Sequence, residues 1–324
     1  MNSSPHGVAG KGLLILSVLL VGCTGSPGSP QTSTNSVSQQ LVDEPQKGTF
    51  AEVHGWIVYR SGSQIMAVDP ANPQDTLSLG PAHGADPIGW SPDGTRLLLQ
   101  TTDANGIRTD LYVLNADGSK TRLTHGVVSE CCGGGHSPAG GSFSPDGTMV
   151  VYGDGGELYV VDANGGRPRL LAGNGPGGAA LFSPAWSPDG SLVAFPSILG
   201  EGDSIKAAIS VMKADGTGRR VIVGPGAGGT YARTIASGLA WSPDGSHLAF
   251  SSVFGHIYFV GADGSGLRQI TDGGLNFWPS WSPDGSRIAF MNGPFLNTMA
   301  IDGSDLQQVF LGEDYSSIAW NPIG

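Results

Sequence analysis

The chain has 324 residues, of which 53 are glycine and 22 proline, so nearly a quarter of it punctuates turns. That composition suits many short strands, and beyond residue 24 no stretch keeps a 3.6-residue apolar period, which argues against a helical protein. The formal net charge is −11, and a nucleic-acid binder needs a basic face, so that class is disfavoured.

Residues 1–22 read as a secretory signal peptide. Lys11 is a sparse positive start, and residues 13–21 form a nine-residue apolar run. That is far short of the ~20 residues of a membrane-spanning helix. The run ends in Leu20-Val21-Gly22-Cys23, which resembles the bacterial lipobox, in which the Cys becomes the acylated first residue of the mature chain. Lipidation is therefore expected at Cys23. One acyl chain binds a membrane only marginally, and several anchor it firmly. Residues 23–48 carry the lipidated Cys and a Ser/Thr/Gly/Pro/Gln-rich stretch. It has too few apolar side chains to fold and reads as a flexible tether.

From residue 49 the chain is organised by a pentapeptide. WSPDG begins at Trp90 and returns, with Phe in place of Trp once, at Phe143, Trp186, Trp241 and Trp281. A degenerate copy starts at Trp320. The intervals are 53, 43, 55, 40 and 39 residues, the range of propeller blades. Ser-Pro-Asp-Gly suits a type I turn, with Ser at i, Pro presetting φ at i+1 and Gly at i+3. The aromatic before it supplies apolar bulk to the core. After each turn comes a short apolar run, such as Leu97-Leu98-Leu99, then an alternating strand, as at 110–114 and 158–161. An Asp-Gly or Asn-Gly pair follows, as at Asp117-Gly118, and predicts a two-residue hairpin. A last strand closes the unit. Arg and Lys cluster just after these pairs and read as a solvated outer strand with snorkelling stems.

Each unit is thus a four-stranded antiparallel sheet, A-B-C-D. The first, over 56–79, lacks an A strand, and the chain ends on an A strand at 317–320. Together they make one blade, giving six blades closed by both termini, which removes exposed sheet edges. The expected fold is an all-β, six-bladed propeller over residues 49–324. The repeats resemble the six-bladed TolB-like β-propeller family, with WSPDG (PD40, WD40-like) repeats. The resemblance implies the fold. It does not extend to TolB's separate N-terminal α/β domain, in whose place only a tether is expected. Similar repeats occur in prolyl oligopeptidase-type enzymes, which need an α/β-hydrolase domain, and no G-x-S-x-G elbow is present.

Blade topology puts the A–B and C–D turns on one face and the B–C and D–A loops on the other, around the channel mouth. The variable stretches are expected there, at 80–89, 124–142, 197–206, 224–238, 271–280 and 311–316, and binding residues concentrate on such loops. The candidates on that face are His83, His125, Glu130, His136, Tyr231, Arg233, Trp278 and Tyr315, with Trp278 expected mainly to pack at the mouth. Cys131 and Cys132 are adjacent and, outside the cytoplasm, expected to be oxidised. They suit a vicinal disulfide, or a soft Cu(I) or Zn site with His136 joined by His83 or His125. No Ser-His-Asp order, H-E-x-x-H, Walker loop or dinucleotide fingerprint appears. The leading expectation is an extracytoplasmic lipoprotein, anchored to the cell membrane or outer membrane, whose propeller is a non-catalytic scaffold for envelope proteins or a ligand. No cofactor and no nucleic acid is expected. The alternatives are a hydrolase or lyase at the channel mouth, and a metal-binding or redox lipoprotein using Cys131, Cys132 and His136.

Overall fold

The computed structural model describes residues 49–102, 109–125, 139–173, 183–199, 206–224, 238–252, 254–311 and 317–324. Among them, 24 strands form six antiparallel sheets of four. Blade 2 shows the plan. Its strands are A (Ala85–Trp90), B (Arg96–Thr102), C (Thr109–Asn115) and D (Lys120–Arg122), paired in sequence order. Blades 3 to 6 repeat it, with A strands at Ala139–Phe143, Ala185–Trp186, Ala240–Trp241 and Asn276–Trp281. Blade 1 takes B, C and D from Ile57–Ser61, Gln64–Val68 and Thr76–Pro81, and its A strand from Ala319–Trp320. Ile57 pairs with Trp320 and Val58 with Ala319, so the two ends of the described chain close the ring. The helical content among the described residues is one 3-10 turn, Phe50–Val53.

The B strands are continuous apolar runs because both their faces are covered. Leu97 and Leu99 pack with Val58 and Ile65 of blade 1, whereas Leu98 packs with Val150 and Phe143 of blade 3. All three Leu side chains are buried, each contributing about 1.5–3 kcal/mol. The same two-sided packing recurs around the ring, with Phe195, Phe259 and Phe290 fully buried.

The pentapeptide turn is the same in five blades. The Gly N–H donates to the Ser carbonyl, as Gly94 to Ser91 at 2.9 Å, closing the predicted type I turn. The Ser Oγ accepts the backbone N–H that opens strand B, at 2.9 Å in every copy (Arg96, Met149, Leu192, His247, Arg287). It also donates to its own turn's Asp. These bonds hold the carboxylates of Asp146, Asp244 and Asp284 down to about 2. In the worn copy, Asn321 replaces Ser and its Oδ1 accepts the Ile323 N–H at 3.0 Å.

The aromatic before each turn does more than fill space. In three interfaces the Trp Nε1–H donates to the carbonyl of the residue preceding the previous blade's Trp. The pairs are Trp90 to Ala319 (3.4 Å), Trp241 to Ala185 (3.1 Å) and Trp281 to Ala240 (3.0 Å). Where that preceding residue is Ser, the contact changes. Ser142 Oγ accepts the backbone N–H of Trp186, and Ser280 Oγ accepts that of Trp320, at 2.7 and 2.9 Å. Their indoles then turn to Gly190 and Gly55. Phe143 has no indole N–H, and there Arg96 lies 5.3 Å over its ring and donates to the Gly147 carbonyl.

One sequence expectation, the two-residue C–D turn, needs correction. The C–D turns of blades 2, 4, 5 and 6 are three-residue loops. Asn115 donates to the Ser119 carbonyl and Gly118, at φ +83°, donates back to Asn115. The Asp side chain takes the N–H of the residue after the Gly, as Asp117 takes that of Ser119, which fixes the three-residue form with Gly left-handed. The arginines that follow are exposed, as expected of an outer strand, and they also bind the neighbouring blade. Arg220 donates to the carbonyls of Ala262 and Asp263, and Arg268 to that of Ile301, each reaching the next blade. Arg219 and Arg268 lie 5.2 and 5.5 Å over Phe195 and Phe259.

Candidate functional site

The A strands line a cavity of about 360 Å³ on the ring axis, to which all six blades contribute. In four of the six blades the wall departs from regular strand three residues before the aromatic. There Gly140, Ser183, Gly238 and Trp278 have φ of +57°, +55°, +89° and +54°. Neighbours in this series touch: a Cβ on Gly140 would collide with the Ser183 backbone, and one on Gly238 would lie 3.0 Å from Trp278 Cα. The A strands of blades 2, 3 and 6 are bulged at the same level. Bulges re-aim side chains beside functional sites, and left-handed non-glycine residues, here Ser183 and Trp278, cost of order 1 kcal/mol each.

The polar groups of the wall are few. Gln100 Oε1 accepts the Gly140 N–H at 2.7 Å, and Ser317 Oγ donates to the Pro87 carbonyl at 2.7 Å. Asp86 is held by Arg60 Nε at 2.7 Å. Ile88, Leu239, Ile318 and Pro279 supply the apolar remainder.

Trp278, named from sequence, is in this wall, half-buried, and packs on the core cluster that closes the ring. His83 and His125 are not. His83 is exposed, at φ +51°, and lines a separate groove with Tyr112 and Lys120. His125 is exposed and does not line the axial cavity. Cys23, Glu130, Cys131, Cys132, His136, Tyr231, Arg233 and Tyr315 lie outside the described residues. Among the described residues no three His, Cys, Asp or Glu side chains are grouped to hold a metal ion. Two of the expected loops contain strand, 80–89 for most of its length and 271–280 for half. Gly80 and Pro81 belong to D of blade 1, and 85–90 form A of blade 2, leaving 82–84 as the connection. Likewise A of blade 6 starts at Asn276.

Asp86, Gln100 and Ser183 are in the wall and were missed from sequence. The signal was present for Ser183: it precedes Trp186 by the spacing that places Trp278 before Trp281.

The mouth also carries an apolar corner. Phe254 is in the B–C turn of blade 5, Leu275 in the following D–A connection, and Phe295 at the B–C turn of blade 6. All three are exposed, Leu275 at 52%. Asn276 fixes this corner: its Nδ2 donates to the carbonyls of Gly255 and Gly273 at 2.8 and 2.6 Å, and its N–H to Gly255 at 2.9 Å. On the opposite, turn face a wider groove of about 480 Å³ lies between blades 6 and 1. Its Arg287 is engaged by Asp305 and Thr298, so it reads as the seam of the closed ring.

A closed six-bladed propeller with an axial cavity defines the structural class. The family model of the TolB beta propeller domain (PD40) matches residues 154–324, more than half of the chain, and the chain belongs to that family. It is 32% identical over 127 residues to the "Uncharacterized peptidase YuxL" of Bacillus subtilis (strain 168), a match covering 36% of this chain and 18% of that relative. The chain therefore spans less than a fifth of that relative's length. Among solved structures, the putative TolB from Agrobacterium tumefaciens superposes with a TM-score of 0.59 at 22% identity, covering 83% of this chain and 94% of that one. A chain of the nidogen/laminin complex gives 0.61 at 12% identity, covering 82% and 98%. At these identities the two structures share the fold.

Proposed function

We propose that the protein is a lipid-anchored, extracytoplasmic binding scaffold that engages proteins of the cell envelope through the mouth face of its propeller. The lipid anchor and location rest on the Leu20–Cys23 sequence and the tether after it. Binding rests on one structural observation, the apolar corner of Phe254, Leu275 and Phe295 held rigid beside the mouth. Contiguous exposed apolar side chains with polar surroundings mark interaction sites. The fold's likeness to a chain of the nidogen/laminin complex is consistent with that use.

A photo-crosslinking residue at Leu275, in the chain expressed with its own anchor, should capture a discrete envelope protein. Phe295→Asp should abolish capture, and capture unchanged by Phe295→Asp would sink the proposal. Cys23→Ala should prevent palmitate labelling and release the chain from membranes. The YuxL match favours a second reading, a hydrolase at the mouth, because that relative is named a peptidase. Turnover of peptide substrates by the purified chain would support it, and none would remove it.

A further inference from the structure

Of seven tryptophans, five donate their indole N–H to a backbone carbonyl. Trp278, in the cavity wall, has no acceptor among the described residues, and it is held at φ +54° where a Gly would fit without strain. Gln100 is similar. Its Oε1 is committed to the Gly140 N–H, leaving both Nε2 protons unclaimed by the described residues. Ser280 Oγ accepts the Trp320 N–H, and among the described residues nothing takes its own proton. Ser183 Oγ has no partner among the described residues.

These groups share one small cavity with an aromatic face and with aliphatic walls. Its volume is at the small end of ligand sites, which run from about 300 Å³. Charge narrows the ligand class. Asp86 is the one charged side chain of the wall among the described residues, Arg60 is tied to it, and the chain carries −11 overall. Among the described residues of the wall an anion finds no cation, and the net charge of the chain repels it. A purely apolar ligand would leave the indole N–H, the amide and the hydroxyls unpaired, which costs about 1–3 kcal/mol per buried group. A neutral ring carrying several hydroxyls satisfies both demands, with its apolar face against the indole and its oxygens on the donors.

We propose that the axial cavity binds a neutral mono- or disaccharide, with Trp278 as the platform and donor and Gln100 and Ser183 as hydrogen-bonding partners. The proposal deepens the reading of the propeller as a binding scaffold and rests on it. The test is calorimetric titration of the full chain with maltose, cellobiose and chitobiose, and with citrate as the anionic probe. At least one disaccharide should bind and citrate should not. Gln100→Glu keeps the acceptor for Gly140 and removes the two donors. It should weaken binding at least about tenfold, equivalent to ~1.4 kcal/mol, in a chain that still unfolds cooperatively, with some loss of midpoint because Glu would lie opposite Asp86. Trp278→Gly, which fits the left-handed backbone, should abolish binding. No disaccharide binding, binding unchanged by Gln100→Glu, or citrate binding alone overturns the proposal. Crosslinking from Leu275 is read separately. Failed sugar binding with capture intact removes only this inference, and loss of both in a folded chain removes the scaffold reading as well.

Discussion

The turn serine is a defined test of how the blades are built. Ser144 is 4% exposed. Its Oγ accepts the Met149 N–H at 2.9 Å and donates to Asp146 Oδ1 at 2.5 Å. Ser144→Ala leaves the Met149 N–H without that acceptor at the start of strand B. A fully buried donor left unpaired costs about 1–3 kcal/mol; the Met149 N–H is part-buried, so the low end applies, which lowers the thermal midpoint by a few degrees. The same substitution removes the largest cause of the low Asp146 value, so it should rise from about 2 toward 3.8. Because the folded value is below the unfolded one, the native carboxylate contributes stability above about pH 4. That contribution is lost as pH falls toward 2. The midpoint difference between parent and variant, read by thermal circular dichroism, should be largest near pH 7 and narrow toward pH 2. The residual gap is the unpaired Met149 N–H. Equal stability at pH 7, or a gap that keeps its full size at pH 2, would refute the reasoning.

Other substitutions probe the ring. Trp241→Phe deletes the bond to the Ala185 carbonyl and should cost about 1–3 kcal/mol in denaturant unfolding. Trp186→Phe should cost less, because that indole is half-exposed and bonds only its own turn at Gly190. Deleting residues 317–324 removes blade 1's A strand and uncovers Ile57 and Val58. The truncated chain should lose cooperative unfolding and bind a hydrophobic dye, and an unchanged melt would contradict closure as a requirement. From sequence alone, Cys131 and Cys132 should form a vicinal disulfide, so a thiol count before and after reduction should rise by those two groups, with no bound metal by elemental analysis.

The fold was legible because its local and long-range rules agree. The SPDG turns, the apolar runs after them and the lone A strand at Trp320 each implied one part of the ring, and Trp320 does pair with Ile57. The error in the turns came from a side chain that competes for a backbone group. Asp117 was read only as a turn former. Its carboxylate takes the Ser119 N–H, and that lengthens the loop by one residue. Arg220 and Arg268 are exposed, as the sequence implies, but composition carries no information about the neighbouring blade that they also bind. Their acceptors are carbonyls 42 and 33 residues away.

The site was less legible for a related reason. Histidines and cysteines stand out in the variable loops, while the axial wall is made by the repeat itself, a few residues before each aromatic. Position matters there more than residue type: Gly140, Ser183, Gly238 and Trp278 are chemically unlike but share the left-handed backbone. Gly adopts that conformation freely, whereas Ser183 and Trp278 adopt it at a cost. Two residues keep a strained backbone, and one is a large aromatic whose indole N–H has no acceptor among the described residues. The same Ala-or-Ser choice that selects the blade latch also sets the wall's chemistry. Ser280 latches Trp320 and keeps a proton for the cavity, whereas Ala240 latches Trp281 and offers none. Fold and site are therefore specified at the same positions, so substitutions in the wall should be scored for stability and binding together.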